Sequence, residues 1–117
     1  MPVPILRQDD VFIASIPRPL SDAELLDLRD ALIERVSESP ARSVIVDVTA
    51  LDVVDSFASR TLRELVSMIR LLEARIVIVG ISPHVAFAMD HLGITLGDIP
   101  TAADLEEGLA YLDSPSR

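Results

Sequence analysis

Four side chains capable of chemistry lie close together in the middle of the chain, where an apolar segment gives way to a more polar one. They are Asp47, Asp52, Asp55 and Ser56, within the stretch VDVTALDVVDSFASR at 46–60. Grouped carboxylates favour a divalent cation. A serine at the start of a helix either caps that helix or accepts phosphate from a kinase. The helices and strands around this stretch determine whether it can bind a cation, cap a helix or be phosphorylated.

Hydrophobic periodicity predicts strands and helices that alternate along the chain. Apolar, β-branched runs predict strands at 3–6, 11–16, 43–48 and 75–80, and a brief last strand at 94–96. Helical spacing predicts four helices. The first, at 21–37, begins with a capping box formed by Ser21 and Glu24, and the second has a buried stripe from Ala58 to Leu72. The third, at 83–92, stops at Gly93, and the last includes Leu105 to Leu112.

This alternation predicts an α/β fold with a mostly parallel sheet of four to five strands, right-handed crossovers and about four helices. The 117 residues suit a single domain at 1–117, with a core at about 3–112 and a flexible tail at 113–117. In parallel sheets, functional groups gather at the carboxyl ends of the strands. The stretch at 46–60 is predicted to lie at that edge.

Composition excludes several classes of function. The chain has no cysteine, which removes disulfides, thiol catalysis and cysteine-based zinc sites. All ten basic residues are arginine, so Schiff-base chemistry and a phosphate-loop lysine are also excluded. The net charge of −9 repels phosphate backbones and argues against a nucleic-acid partner.

Hydropathy along the chain argues against a membrane protein. Every apolar run is shorter than the roughly 18 residues that a membrane span needs. The opening MPVPILRQDD lacks the layout of a signal peptide, which predicts a cytoplasmic protein without membrane contact.

Several hydroxyls and carboxylates compete for a role. Ser56 is a candidate helix cap and a candidate phosphate acceptor, two roles that one serine can serve, and Ser59 and Thr61 are further candidate acceptors. Asp47 and Asp52 with magnesium would suit a receiver-like domain that is phosphorylated on aspartate. That chemistry uses a lysine and an acidic pair after the first strand, which this chain lacks.

No other group of residues predicts catalysis, a metal site or a cofactor. His84 and His91 lie seven residues apart on one predicted helix and lack a third ligand for zinc. No serine has a histidine at a spacing typical of a hydrolase.

The segment LDVVDSF at 51–57 resembles the phosphorylation segment of STAS-domain anti-sigma-factor antagonists. The resemblance extends to GISP at 80–83, LGI at 92–94 and TAADLEEGL at 101–109. Simple antagonists usually read Asp-Ser-Ser/Thr-Gly, whereas Asp-Ser-Phe here is more similar to the RsbS-type stressosome scaffolds. Longer, sensor-bearing paralogues of these scaffolds often have a second phosphate-acceptor threonine five residues after the proline of the segment that matches GISP. In this chain that position is Ala88.

This resemblance implies a STAS (SpoIIAA-like) β/α superhelix and a non-catalytic scaffold. Such a scaffold sequesters a switch serine/threonine kinase and releases it when Ser56 is phosphorylated. Further partners implied are sensor-bearing STAS paralogues and a phosphatase that resets the site, in a dimer or a larger assembly. A free antagonist that binds an anti-sigma kinase without assembling is the alternative.

The surface expected to hold the partner surrounds Ser56. It comprises Asp52, Asp55, Phe57, Ser59, Arg60 and Arg63, with the last three on an exposed helix face. The proposed mechanism is charge added at an already acidic docking surface.

Overall fold

The computed structural model describes residues 3–39, 43–94, 96 and 98–113. Its elements, in chain order, are β1 (Ile5–Gln8), β2 (Val11–Ser15), α1 (Asp22–Ser37), β3 (Ser43–Asp47), α2 (Ser56–Leu71), β4 (Arg75–Val79), α3 (Pro83–His91), β5 (Thr101–Ala102) and α4 (Leu105–Asp113). The five strands form one sheet in the order β1-β2-β3-β4-β5, in which only β1 is antiparallel to its neighbour. The predicted α/β fold is confirmed.

Local signals place the start of α1 and the end of α3 where the sequence predicts them. The Ser21 hydroxyl accepts from the Glu24 amide at 3.1 Å, and the Glu24 carboxylate accepts from the Ser21 amide at 3.0 Å, which completes the capping box of α1. Gly93, at φ +72°, ends α3, and the next amide donates back to the Met89 carbonyl at 2.8 Å.

The two outer strands differ from the prediction. The first strand lies at Ile5–Gln8, two residues later than expected, because its pairing with β2 through the Asp9–Asp10 turn fixes the register. The strand expected at 94–96 is wrong, since Ile94 and Leu96 belong to no strand, while Thr95 is outside the described residues.

The fifth strand instead has only two residues, Thr101 and Ala102, which pair with Ile78 and Val79 of β4. A strand this short has no hydrophobic period, so only its pairing with β4 locates it. At the C-terminus, Asp113 is still the last residue of α4, and the rest of the expected tail lies outside the described residues.

Apolar side chains cover both faces of the sheet. One face packs against α1, α2 and α3 through buried residues such as Val44, Val46, Ile76 and Ile78. The other packs against α4 through Ile13, Ile45, Val77 and Val79. Each such side chain contributes about 1.5–3 kcal/mol when fully buried. Strands covered on both faces leave the loops at the strand ends as the accessible polar regions.

No helix in the described part of the chain has the length and apolar character that crossing a membrane requires.

Candidate functional site

The carboxyl ends of β3 and β4 lie side by side and carry the loops that form the site. The two strands are parallel, with Asp47 opposite Val79. Beyond that pair, the Val48 amide donates to the Val79 carbonyl at 2.9 Å. The segment that follows β3 is therefore held to the sheet before it turns into α2.

Asp47 holds the start of this loop in place. One of its carboxylate oxygens accepts from both the amide of Thr49, at 2.9 Å, and the hydroxyl of Thr49, at 2.6 Å. Gly80, at φ +90°, packs directly on Thr49: a Cβ there would collide with the Thr49 hydroxyl and lie 2.7 Å from its amide nitrogen. The two loops therefore contact each other through backbone, and Asp47 is engaged in a structural role.

Asp55, and not Ser56, caps α2. Its backbone is extended, and its carboxylate accepts from the Ala58 amide at 2.8 Å. The prediction that Ser56 is the cap is wrong, because two cap-competent residues are adjacent and the backbone leaves the helix at the first of them. Ser56 is the first residue of α2, and its side chain is exposed.

The two neighbouring hydroxyls of α2 are buried. Ser59 retains 1% of its surface and donates to the Ser56 carbonyl at 3.0 Å, while Thr61 retains 4% and donates to the Phe57 carbonyl at 2.9 Å. The expectation that Ser59 belongs to an exposed face is therefore wrong, and neither residue is accessible to an enzyme in this conformation.

The remaining predicted contact residues differ in exposure. Asp52, Asp55 and Arg60 are exposed, and Phe57 and Arg63 are half-buried. The sequence analysis missed Val53, which is 68% exposed in the same loop, whereas its neighbour Val54 is buried. Hydrophobicity gives no signal that separates two adjacent valines in a loop without periodicity.

The geometry of the carboxylates does not favour a metal. Within the described residues, no group of three or more histidine or acidic side chains is placed to hold an ion. One carboxylate oxygen of Asp47 already accepts two hydrogen bonds from Thr49, which gives that oxygen a structural role in the loop. The receiver-like alternative has no support from this arrangement.

The two histidines lie on α3, near its two ends. His84 and His91 are both exposed, and the His91 ring stacks on Phe87 with centroids 6.4 Å apart. Ala88 is half-buried on the same helix.

Comparison with known proteins matches both the sequence and the fold. The family profile described as STAS domain matches residues 3–108. The structure of a serine-to-glutamate variant of RsbS from Moorella thermoacetica is 32% identical, with a TM-score of 0.82, and the match covers 94% of this chain and 93% of that one. A chain in a structure described as the molecular architecture of the stressosome is 30% identical, with a TM-score of 0.75, and the match covers 93% of this chain and 95% of that one.

A longer relative also matches. The RsbT co-antagonist protein RsbRA of Bacillus subtilis (strain 168) is 27% identical over 82 residues, which is 70% of this chain but only 30% of RsbRA. The profile match over most of the sequence and the agreement in fold with RsbS along nearly the full length of both chains show that this chain belongs to the STAS domain family.

Proposed function

We propose that the chain is a non-catalytic stressosome scaffold and anti-sigma-factor antagonist in the cytoplasm. In this proposal it sequesters a switch serine/threonine kinase and releases the kinase when Ser56 is phosphorylated. The similarity to RsbS and to a stressosome chain, at 32% and 30% identity over almost the whole length of each, supports the assignment.

The observation that carries the proposal is the placement of Ser56. Ser56 is exposed at the first position of α2, while the nearby hydroxyls of Ser59 and Thr61 are buried. The cap belongs to Asp55, so modification of Ser56 leaves the hydrogen bond that caps α2 in place. A kinase can therefore reach the Ser56 side chain without opening the fold.

Electrostatics then supplies the switch. Phosphorylation adds about −1.5 to −2 charges beside Asp52 and Asp55, both exposed. Two like charges at about 4 Å repel by roughly 1 kcal/mol in bulk water and roughly 4 kcal/mol near a protein surface. Since each 1.4 kcal/mol is about tenfold in affinity, a docked acidic partner surface would be released while the domain stays folded.

The contact surface proposed for the kinase combines charged residues with two apolar ones. Asp52, Asp55 and Phe57 surround the acceptor, Arg60 and Arg63 lie further along α2, and Val53 offers an exposed apolar side chain. A shallow depression of about 330 Å³ along α2 is lined by Arg60, Arg63, Glu64, Ser67 and Met68. Its size suits one or two side chains from a partner.

Mass spectrometry after incubation with the cognate kinase tests the site. We expect one acid-stable phosphate on Ser56 and none on the Ser56→Ala variant. Phosphate on Ser59 or Thr61 with Ser56 unmodified would contradict the assignment. An acyl phosphate on Asp47 or Asp52 that hydroxylamine removes would instead favour the receiver-like alternative.

Binding measurements test the mechanism. The Ser56→Asp variant should bind the kinase at least about tenfold more weakly than Ser56→Ala, because even one added charge at a partly desolvated contact costs more than 1.4 kcal/mol. Isothermal titration calorimetry gives both affinities. Equal affinities would show that charge at this position does not control the partner.

Size-exclusion chromatography separates the scaffold from the free antagonist. Mixed with a sensor-bearing STAS paralogue, a scaffold should elute in a particle far larger than a dimer. Elution of the two proteins as separate small species would favour the free antagonist. A phosphatase that resets Ser56 would return the phosphorylated protein to its kinase-binding form.

A further inference from the structure

We propose that the Arg60 side chain forms an ion pair with the phosphate on Ser56 of the same chain, an inference that rests on the proposed modification of that serine. Ser56 and Arg60 are four residues apart in α2, and both side chains are exposed. Residues at this spacing lie on the same helix face, with Cβ atoms about 5–6 Å apart. An arginine side chain spans that separation and can present two donors to a phosphate.

Arg60 is available for this role because Glu64, the acid that could otherwise pair with it along the helix, is paired with another arginine. Glu64, one turn further along α2, is ion-paired across the helix interface with Arg29 of α1 at 3.7 Å. Among the residues that the structure describes, no acid or carbonyl bonds to the Arg60 guanidinium. The first turn of α2 also has no acidic residue to attract it.

The first turn of α2 is ordered before any phosphate arrives. The Asp55 carboxylate holds the Ala58 amide at 2.8 Å, and the Ser59 hydroxyl donates to the Ser56 carbonyl at 3.0 Å. The amides at the start of a helix carry a partial positive charge, which favours a phosphate at this end. A phosphate on Ser56 would therefore extend from a fixed backbone, with Arg60 as the nearest cation along the helix.

This pairing changes how the switch works. In the unmodified protein the exposed Arg60 guanidinium can pair with an acidic group on the docked kinase. After phosphorylation the same guanidinium turns to the phosphate. The modification thus adds negative charge to the surface and also withdraws a cation from the partner.

Phosphorus NMR of the phosphorylated protein tests the pairing directly. Phosphoserine can be incorporated at position 56 of the full chain during translation, so the experiment needs no kinase. The second pKa of a serine phosphate is ordinarily about 6. The helix start and Arg60 lower it, and the exposed carboxylates of Asp52 and Asp55 raise it, so the informative quantity is the difference between the parent and a variant. The Arg60→Gln variant should raise that pKa by about 0.2 to 0.7, the range expected from the loss of an exposed ion pair.

Two further variants make the result specific. Arg63→Gln removes a cation that lies about 10 Å from Ser56 along the helix axis, and it should leave the pKa unchanged. Arg60→Lys keeps the charge and should restore most of the shift. In about 1 M salt the difference between the parent and Arg60→Gln should shrink, since screening then acts within about 3 Å.

Some outcomes would overturn the pairing. An Arg60→Gln pKa equal to the parent's, or an equal rise in Arg63→Gln, would show that Arg60 does not hold the phosphate. Neither result bears on whether a kinase modifies Ser56, which mass spectrometry decides. Conversely, a kinase that ignores Ser56 would end the proposed function and leave the NMR result intact.

Discussion

At the scale of single residues, the site divides two tasks between neighbours. Asp55 caps α2 through its carboxylate, and Ser56 follows it with an exposed hydroxyl. Phosphorylation of Ser56 therefore leaves the capping hydrogen bond of Asp55 intact. This division explains how a charge can be added at a helix terminus while the helix keeps its first turn.

The division predicts unequal costs for two alanine substitutions. Asp55→Ala should lower the free energy of unfolding by about 1 kcal/mol, because the Ala58 amide loses its acceptor. Ser56→Ala should change it by less than about 0.5 kcal/mol, as is usual for an exposed side chain without a structural bond. Urea denaturation of both variants measures the free energy of unfolding. A larger decrease in Ser56→Ala than in Asp55→Ala would show that Ser56 caps the helix.

At the scale of elements, α1 shows how electrostatics stabilises a helix start. Arg18 contacts Glu24 through two nitrogens, at 2.9 and 3.3 Å, and Glu24 also accepts from the Ser21 amide. The hydrogen bond from Arg18, followed by that from the Ser21 backbone, lowers the pKa of Glu24 from 4.5 to about 2. The ion pair and the capping box thus share one carboxylate.

This lowered pKa sets a direction for acid sensitivity. Because the folded protein holds Glu24 ionised more strongly than the unfolded chain, its contribution is complete above about pH 4.5 and is lost as the pH falls towards 2. Arg18→Gln should raise the pKa of Glu24, as followed by NMR of its side-chain carboxyl carbon. Arg70→Gln, whose partner is Asp98, should not. A Glu24 pKa that is the same in the parent and in Arg18→Gln would show that the ion pair does not form in solution.

At the scale of the whole molecule, a contact between two crossover connections sets the position of the site. Gly80 follows β4 and packs on Thr49, which follows β3, so the loop leading to Ser56 rests on the loop leading to α3. These residues are far apart in sequence. Only the parallel pairing of β3 with β4 brings them together.

Two glycine substitutions should separate backbone strain from this contact. Gly93→Ala places a side chain at φ +72° with no atom within 4 Å of its Cβ, so it should cost about 1–2 kcal/mol from strain alone. Gly80→Ala adds a collision with Thr49 to a similar strain and should cost about 2–5 kcal/mol. Urea denaturation gives both values. Equal losses would mean that the two loops move apart freely.

The sequence by itself determined the features that depend on neighbours along the chain. The capping box at Ser21 and Glu24, the α3 stop at Gly93 and the buried strands of the sheet centre are all local signals. Each is decided by residues within one or two turns, or by the composition of one short run. The α/β class and the location of the site at the strand ends follow from the order of these elements.

Only the tertiary structure decided which residue caps α2, which hydroxyls are buried and where the last strand lies. Sequence cannot tell whether Asp55 or Ser56 caps α2, because both residue types serve and the backbone direction selects one. It cannot show that Ser59 is buried, since a hydroxyl that bonds to the Ser56 carbonyl loses little on leaving water. Nor can it place β5, whose two residues are held by β4 alone. The α2 cap depends on the backbone direction, the burial of Ser59 on how α2 packs, and β5 on pairing with a strand distant in sequence.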